Sequence, residues 1–285
     1  MNKSKQKFSS IRTAGSFLFS DKACSGTLCK VIDDAFGYSL NDEERAAMPF
    51  AGGIVQNGYQ CGMIWGAALA AGAQAYRIYG SGVRAEVYSI IAAQKLVESF
   101  RNNYKYIDCF ELTDIDKNSS TVKLISYFLI KGGTLKCCRM ALKYAPIAFS
   151  EINTAFNGGL NEFPRSPVSC TAILAKRFGL SEMHSIMVSG FAGGIGLSGG
   201  ACGALGAAIW IIGMKKLEEG AEKLNFKNQE TLDLIERFLI CTNYEFECSK
   251  IVSRKFDDVN AHSQHLCNGG CMEIIEVLSK YDNYL

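Results

Sequence analysis

One segment occurs twice in this chain, 141 positions apart. Phe-Ala-Gly-Gly-Ile at residues 50–54 returns at 191–195, and Cys61-Gly62 returns as Cys202-Gly203. A fixed internal period indicates that each half is one structural unit, and it allows the two halves to be compared residue by residue. Residues needed for a chemistry that both halves share should therefore occur in both.

Cysteines meet that test better than any other polar residue. Four in each half have a counterpart in the other: Cys24, Cys61, Cys109 and Cys138 match Cys170, Cys202, Cys248 and Cys271. The other four of the twelve have none, and free cysteine often serves as a small buried apolar residue. We therefore expect packing roles for these unmatched cysteines, which are Cys29, Cys137, Cys241 and Cys267.

Helical periodicity dominates both halves, because apolar residues recur three and four positions apart with charges between them. The predicted helices are 22–35, 41–48, 62–79, 85–102, 122–131 and 135–144, then 168–178, 181–189, 203–219, 229–241 and 271–280. No segment alternates long enough to indicate a sheet. The sequence predicts an all-α fold of two related helical halves, 1–155 and 156–285, joined near Pro164 and Pro167. We expect pseudo-two-fold packing, with the small-residue helices after Cys61 and Cys202 near the interface.

Composition limits the partners and the compartment. A net charge of +2 without a block of Lys or Arg gives no electrostatic footprint for nucleic acid. The apolar stretch 14–19 is too short for a signal peptide, so we expect a cytoplasmic protein with reduced thiols. Residues 46–76 and 185–214 contain no Asp, Glu, Lys or Arg. Their glycine-rich beginnings leave only about 12 to 14 helical residues, which argues against a membrane protein.

A glycine-rich loop precedes each central cysteine. Glycines reach positive φ and allow backbone N–H groups to approach a bound group closely, so we expect Gly52, Gly53, Gly193 and Gly194 to contact a cofactor. The helix that follows each loop places its positive dipole end beside Cys61 or Cys202. These two thiols should then be the most acidic of the twelve. Close helix packing is an alternative role for the same glycines.

Two further motifs carry less weight. Residues 194–199 match the dinucleotide fingerprint G-x-G-x-x-G, but the copy at 53–58 lacks its second glycine and no βαβ pattern follows. His262, His265, Cys267 and Cys271 have a spacing that suits zinc. All three histidines lie in the second half, so they cannot form a shared site, and we interpret His262 and His265 as exposed loop residues.

The order of the paired cysteines resembles that of the redox-active proteins named after the motif C_GCAxxG_C_C. Cys24, Cys61-Gly62-Met63-Ile64-Trp65-Gly66, Cys109 and Cys138 form the first copy, and Cys170, Cys202-Gly203-Ala204-Leu205-Gly206-Ala207, Cys248 and Cys271 form the second. The chain is similar to a tandem of two such domains. Met63 and Ala207 are its departures from the central C-G-A-x-x-G. The resemblance implies a redox role, and a related domain that accompanies split-Soret cytochromes implies an iron–sulfur centre.

Two functional hypotheses follow. Four thiolates in each half suit an iron–sulfur cluster or tetrahedral zinc, held by the eight paired cysteines, in electron transfer or redox sensing. The physiological partner would be a redox protein or a small electron donor or acceptor. Alternatively, the protein is a metal-free thiol/disulfide oxidoreductase in which Cys61 and Cys202 are catalytic. Spacing does not choose between them, and it leaves open whether the protein is an enzyme. A purely structural helical protein would not explain why both halves retain the cysteines.

Overall fold

The computed structural model describes residues 23–130, 132–160, 162–225 and 227–280. Lys131 and the outer ends of the two predicted domains, residues 1–22 with the stretch 14–19 and residues 281–285, therefore lie outside the described residues. Within the described ranges the chain is all-α, with fourteen α-helices and no strand. Two isolated β-bridges supplement the helices, Gln60 with Asp108 and Ala201 with Glu247.

Both halves begin with the same order of elements. The first half contains α1 (Ala23–Phe36), α2 (Asn41–Ala46), α3 (Gly62–Tyr79), α4 (Val83–Tyr104), α5 (Cys109–Thr113), α6 (Thr121–Ile125) and α7 (Gly133–Asn157). The second contains α8 (Cys170–Arg177), α9 (Glu182–Ser189), α10 (Gly203–Glu218), α11 (Gln229–Cys241), α12 (Cys248–Ile251), α13 (Val259–Cys267) and α14 (Met272–Ser279). In each half a glycine loop leads into a central helix, α3 or α10. An outer helix follows, and then a short helix that begins at a cysteine.

The central helices are buried almost along their whole length because most of their residues are small or apolar. Small residues let neighbouring elements approach closely. A Cβ atom at Gly66 would lie 2.0 Å from the Ser25 carbonyl oxygen of α1, and one at Gly206 would lie 2.3 Å from the Trp65 ring of α3. The second contact joins the two halves, so α3 and α10 meet at their interface, as the sequence predicts.

The two halves interlock reciprocally. Helix α9 of the second half packs on α3, and α2 of the first half packs on α10. A Cβ at Gly72 would lie 2.5 Å from the Met187 backbone, and one at Gly213 would lie 3.1 Å from Ala46. These two contacts are copies of each other under the 141-residue repeat. Such reciprocal contacts are expected when a duplicated chain takes over the interface of a homodimer.

A polar side chain also crosses the interface. The buried Gln60 amide donates to the Gly194 carbonyl at 3.0 Å and accepts from the Ala201 N–H at 2.8 Å. A Cβ at Gly200 would lie 1.7 Å from the Gln60 amide nitrogen, so a larger residue here would displace the Gln60 side chain from these hydrogen bonds. Beside it the rings of Tyr59 and Phe246 stack, with their centroids 4.2 Å apart.

Most predicted helices agree with the structure to within a few residues, but three helices were missed. Helices α5 and α12 are only five and four residues long, and α13 occupies a segment interpreted as a loop. Helix α7 also continues beyond its predicted end at 144, through Pro146 to Asn157. Among the described helices, none combines the length and apolar character that crossing a membrane requires.

Two candidate cysteine sites

The glycine loop of each half forms a left-handed turn. All five residues of 52–56 and all five of 193–197 have positive φ. Ile54, Val55 and Ile195 are among them, although a β-branched side chain is strained in this conformation. The Gly58 N–H donates to the Gly52 carbonyl at 3.0 Å and closes the first turn. Strain of this kind concentrates at functional sites, where the surrounding structure holds it in place.

Two of the predicted cofactor-binding glycines are required by the turn itself. A Cβ at Gly53 would lie 2.2 Å from the Tyr59 carbonyl oxygen, and one at Gly194 would lie 2.6 Å from the Gly200 backbone. The other two face the cysteines, because Gly52 lines a cavity and the Gly193 N–H donates to the Cys170 sulfur. The role of all four in cofactor binding stays a prediction.

The β-bridges bring a second cysteine beside each central one. The Cys61 N–H donates to the Ile107 carbonyl at 2.8 Å, and the Cys109 N–H donates to the Tyr59 carbonyl at 2.7 Å. The second half repeats this pairing, because Cys202 donates to the Phe246 carbonyl at 2.9 Å. The Cys248 N–H completes the pair with the Gly200 carbonyl at 2.6 Å. The short helices α5 and α12 thus begin next to the central cysteines.

A cavity of about 460 Å³ lies at the first of these pairs. Its wall contains all four predicted cysteines of the first half and one more: Cys24, Cys61, Cys109, Cys137 and Cys138. They come from α1, the glycine loop, α5 and α7. Apolar side chains complete the wall, among them Met63, Leu112 and Ile115. The fold therefore gathers thiols that are more than 100 positions apart in sequence.

Cys137 belongs to this cluster, so its sequence interpretation as a packing residue is wrong. Its thiol interacts electrostatically with those of Cys24, Cys61 and Cys109, and it raises the pKa of each. Cys138 lines the same cavity, but burial is the cause of its own raised pKa. The sequence did contain one signal for Cys137, because it directly precedes the paired Cys138. Adjacent residues of a helix point in different directions, so Cys137 contacts other neighbours than Cys138 does.

The second half also brings its four predicted cysteines together. Cys202, Cys248 and Cys271 all interact electrostatically with Cys170. Cys202 and Cys271 likewise raise the pKa of Cys248. The unmatched Cys241 also raises the pKa of Cys202, so the second cluster, like the first, has a further thiol beside the four that the repeat selects.

A histidine accompanies the second cluster. His265 Nε2 lies 3.6 Å from Cys271 Sγ. The ring is held by Phe256, at 5.2 Å between centroids, and by Gly270, where a Cβ would lie 2.3 Å from it. The interpretation of His262 and His265 as exposed loop residues is wrong, because both lie in α13 and His262 is buried.

Burial makes these thiols weak acids. It raises the pKa of Cys61 and Cys202, which are 4% and 7% exposed, above the usual range. It also raises the pKa of Cys109 to about 11 and that of Cys271 to about 12. The Met63 N–H donates to the Cys61 sulfur as expected at a helix start, but desolvation outweighs it. The prediction that the central thiols are the most acidic is therefore wrong for Cys61, whose pKa is raised well above the usual range, and it stays a prediction for Cys202.

The unmatched cysteines fall into different environments. Cys29 is fully buried with its sulfur 3.5 Å from Asp33 Oδ2, as a packing residue would be. Cys241 is half-buried and Cys267 is exposed, so a packing role does not describe Cys267. All twelve cysteines lie in the described ranges, and none of them forms a disulfide there.

The clusters can be compared with the needs of a metal centre. In the described part of the chain, no three His, Cys, Asp or Glu side chains are placed to hold a metal ion. A single zinc ion would need its sulfur ligands about 2.3 Å away, in a compact tetrahedron. In the first half the thiols instead line a cavity of about 460 Å³, and the Met63 N–H donates to the Cys61 sulfur. Thiols are soft donors of the kind that bind zinc and iron–sulfur clusters, so the residue types suit either group.

The comparisons with known proteins agree with the repeat. The model of the family described as "Putative redox-active protein (C_GCAxxG_C_C)" matches residues 22–147 and again 168–281. Comparison with curated proteins and with solved structures gives no match. The two matched regions contain one cysteine cluster each.

Proposed function

The chain belongs to the redox-active C_GCAxxG_C_C family, in two tandem copies, and on this premise we propose that each half holds an iron–sulfur cluster. In the first half the ligands would come from Cys24, Cys61, Cys109 and one of the adjacent pair Cys137 and Cys138. In the second they would be Cys170, Cys202, Cys248 and Cys271. The protein would transfer electrons or sense redox state.

The observation that carries this proposal is the convergence of four repeated cysteines on one site in each half. Four thiolates are the ligand set of the common [2Fe–2S] and [4Fe–4S] clusters. The first site also has a cavity, of about 460 Å³, within which the thiols converge.

Thiol protonation supports a metal centre over the metal-free alternative. A nucleophilic cysteine acts as its thiolate and usually sits in an electropositive surrounding. Here burial and neighbouring thiols both raise the pKa of Cys61, so the thiol is neutral near pH 7. The iron ions of a cluster would supply the positive charge that stabilises the thiolate, because a metal ion deprotonates a coordinating thiol outright.

When bound, the cluster supplies one-electron oxidation and reduction. The cysteine sulfurs of the chain would bind the cluster. Cys61, Cys170 and Cys202 are almost completely buried, so water is excluded from these sulfurs. Backbone N–H groups donate to these sulfurs, from Met63 to Cys61 and from Gly193 to Cys170. Such hydrogen bonds are among the factors that set the potential of a cluster. The strained loop of the second half positions the Gly193 donor, and the first turn of α3 positions the Met63 donor.

Four single variants of the anaerobically purified protein test the proposal. Cys61→Ala and Cys202→Ala should each remove the cluster of their own half and so lower the visible absorbance per chain by about half. The matched controls Cys29→Ala and the exposed Cys267→Ala should retain full absorbance, and Cys29→Ala should lose only about 1 to 2 kcal/mol of stability. Full absorbance in both Cys61→Ala and Cys202→Ala would overturn the ligand assignment. A colourless, iron-free parent protein with titratable thiols would favour the oxidoreductase instead.

A further inference from the structure

Helix α7 carries a cationic surface next to the first cysteine site. Lys136, Arg139 and Lys143 lie about one turn apart on it and are all exposed. They line a groove of about 340 Å³ whose other lining residues are Tyr104, Gly132, Leu135 and Met140. Of the residues that the structure describes, three cations and no carboxylate line this groove. We call it the α7 cationic groove.

This groove adjoins the cysteine cavity. Met140 lines both, and Cys137 and Cys138 lie between Lys136 and Arg139 on the same helix. The Lys136 ammonium donates to the carbonyl of Leu112, a cavity residue, at 2.8 Å. One helix therefore has cations on one side and the candidate ligands on another. A protein docked in the groove would lie about one helix diameter, roughly 10 Å, from the cysteine cavity.

The second half has the opposite charge at the matching place. Helix α14 follows Cys271 as the middle of α7 follows Cys138, and the positions of Met140 and Lys143 are taken by Glu273 and Glu276. Both glutamates are exposed. The positive surface is thus specific to the first half and is not a property that the repeat imposes on both.

An exposed apolar side chain completes the surface. Leu135 is 51% exposed beside Lys136 and lines the same groove. Interfaces that form and dissociate quickly combine a small apolar contact with complementary charge, because the charge steers the encounter. No carboxylate among the described lining residues balances the three cations, so the groove favours a partner with negative charge.

We propose that the α7 cationic groove docks an acidic protein that transfers one electron, for which a [2Fe–2S] ferredoxin serves as the probe. This inference rests on the proposed iron–sulfur function. In each encounter the reduced partner loses one electron and becomes oxidised, and the first-half cluster gains that electron and becomes reduced. The second half, with its acidic α14, does not bind this partner.

The test measures binding of an oxidised plant-type [2Fe–2S] ferredoxin to the full chain by titration calorimetry, without turnover. We expect the Kd to rise at least tenfold between about 20 mM and 200 mM salt, a range over which exposed charges are increasingly screened. The double variant Lys136→Glu, Arg139→Glu should raise the Kd at low salt by at least tenfold. The control double variant Lys223→Glu, Lys227→Glu alters exposed lysines of the second half and should change it less than twofold.

Absence of binding, or equal loss in both double variants, would overturn the proposal. Self-association of the chain through α7 and α14, seen by sedimentation and abolished by Lys136→Glu, Arg139→Glu, would also overturn it. Iron analysis of the same samples distinguishes failure of the docking proposal from failure of the proposed iron–sulfur function. An iron-loaded protein that fails to bind ferredoxin refutes only the docking site, whereas an iron-free protein refutes the proposed function whatever it binds.

Discussion

At the scale of single residues, Cys61 shows how burial and a helix end compete for the same thiol. Its helix start supplies an N–H donor that favours the thiolate, but removal from water and the neighbouring thiols of Cys24 and Cys109 favour the neutral form. Desolvation of a fully buried group shifts a pKa by up to several units, whereas a helix end contributes about 1 kcal/mol or less. A site built in this way is suited to binding a cation and poorly suited to attacking a substrate unaided.

The adjacent pair Cys137 and Cys138 gives a sharp test at this scale. We expect Cys137→Ala to lower iron loading of the first half strongly, because the Cys137 thiol interacts with those of Cys24 and Cys61. Cys138→Ala should retain most of the iron. Iron per chain and visible absorbance, measured for both variants purified without oxygen, check this. Loss of iron in Cys138→Ala but not in Cys137→Ala would contradict this expectation and would support Cys138 as the ligand, as the repeat predicts.

His262 predicts a pH dependence of stability. It is buried with Nδ1 2.9 Å from the Val168 carbonyl oxygen, and burial lowers its pKa from 6.5 to about 4. The unfolded chain therefore binds the proton more readily, and the stability from this group is complete above pH 6.5 and lost as the pH falls toward 4. The loss amounts to about 3 kcal/mol.

Urea unfolding at pH 7, 6, 5 and 4 measures this effect. In His262→Asn, whose amide can still donate to Val168, the extra loss of stability between pH 6.5 and 4 should disappear. The other titrating groups stay the same in both proteins, so the difference between the two curves isolates His262. Parallel curves for the two proteins would show that His262 does not carry the proton linkage.

At the scale of structural elements, the left-handed turns show where sequence reasoning stops. Glycine at 52 and 53 indicates positive φ, and the structure confirms it. Nothing in the sequence indicates that Ile54 and Val55 continue the turn, because β-branched residues avoid this conformation. Their burial against the core supplies the compensating free energy, and burial depends on the whole fold.

The interlock of the halves predicts unequal costs for two repeat-related glycines. We expect Gly72→Ala to lower the free energy of unfolding by about 2 kcal/mol, because its Cβ would lie 2.5 Å from the backbone of Met187. Gly213→Ala should cost less, since its nearest contact, Ala46, lies at 3.1 Å. Gly159→Ala, with no atom within 4 Å, is the control and should change stability by less than about 0.5 kcal/mol.

Denaturant unfolding of the three variants at one pH ranks them. Equal stability of Gly72→Ala and Gly159→Ala would contradict the close packing of α9 on α3. It would also remove the main evidence that the halves form one interlocked body.

At the scale of the whole molecule, duplication explains the shared plan and divergence explains the differences. Both halves place a cysteine before a central helix and a second cysteine across a β-bridge. The first half adds Cys137 and a cationic helix face, and the second adds His265 beside Cys271. The two sites are therefore not expected to have the same potential or the same partner.

Helical periodicity predicted most of the helices, and the repeat selected the eight paired cysteines that the two clusters contain. Both are local or pairwise signals that a single sequence carries. Helix α13 was missed because its histidines were interpreted as exposed polar residues of a loop. In the fold His262 is buried and contacts the Val168 carbonyl. Whether Cys137 belongs to the first cysteine cluster depends on which face of α7 packs toward α1. No sequence pattern predicts that orientation.

The central claim is that each half holds an iron–sulfur cluster, and its most direct test is the iron and acid-labile sulfide content of the protein purified without oxygen. We expect iron and sulfide in nearly equal amounts, at about four of each per chain for two [2Fe–2S] clusters or about eight for two [4Fe–4S] clusters. Less than about one iron atom per chain, with all twelve thiols titratable after unfolding, would contradict the account.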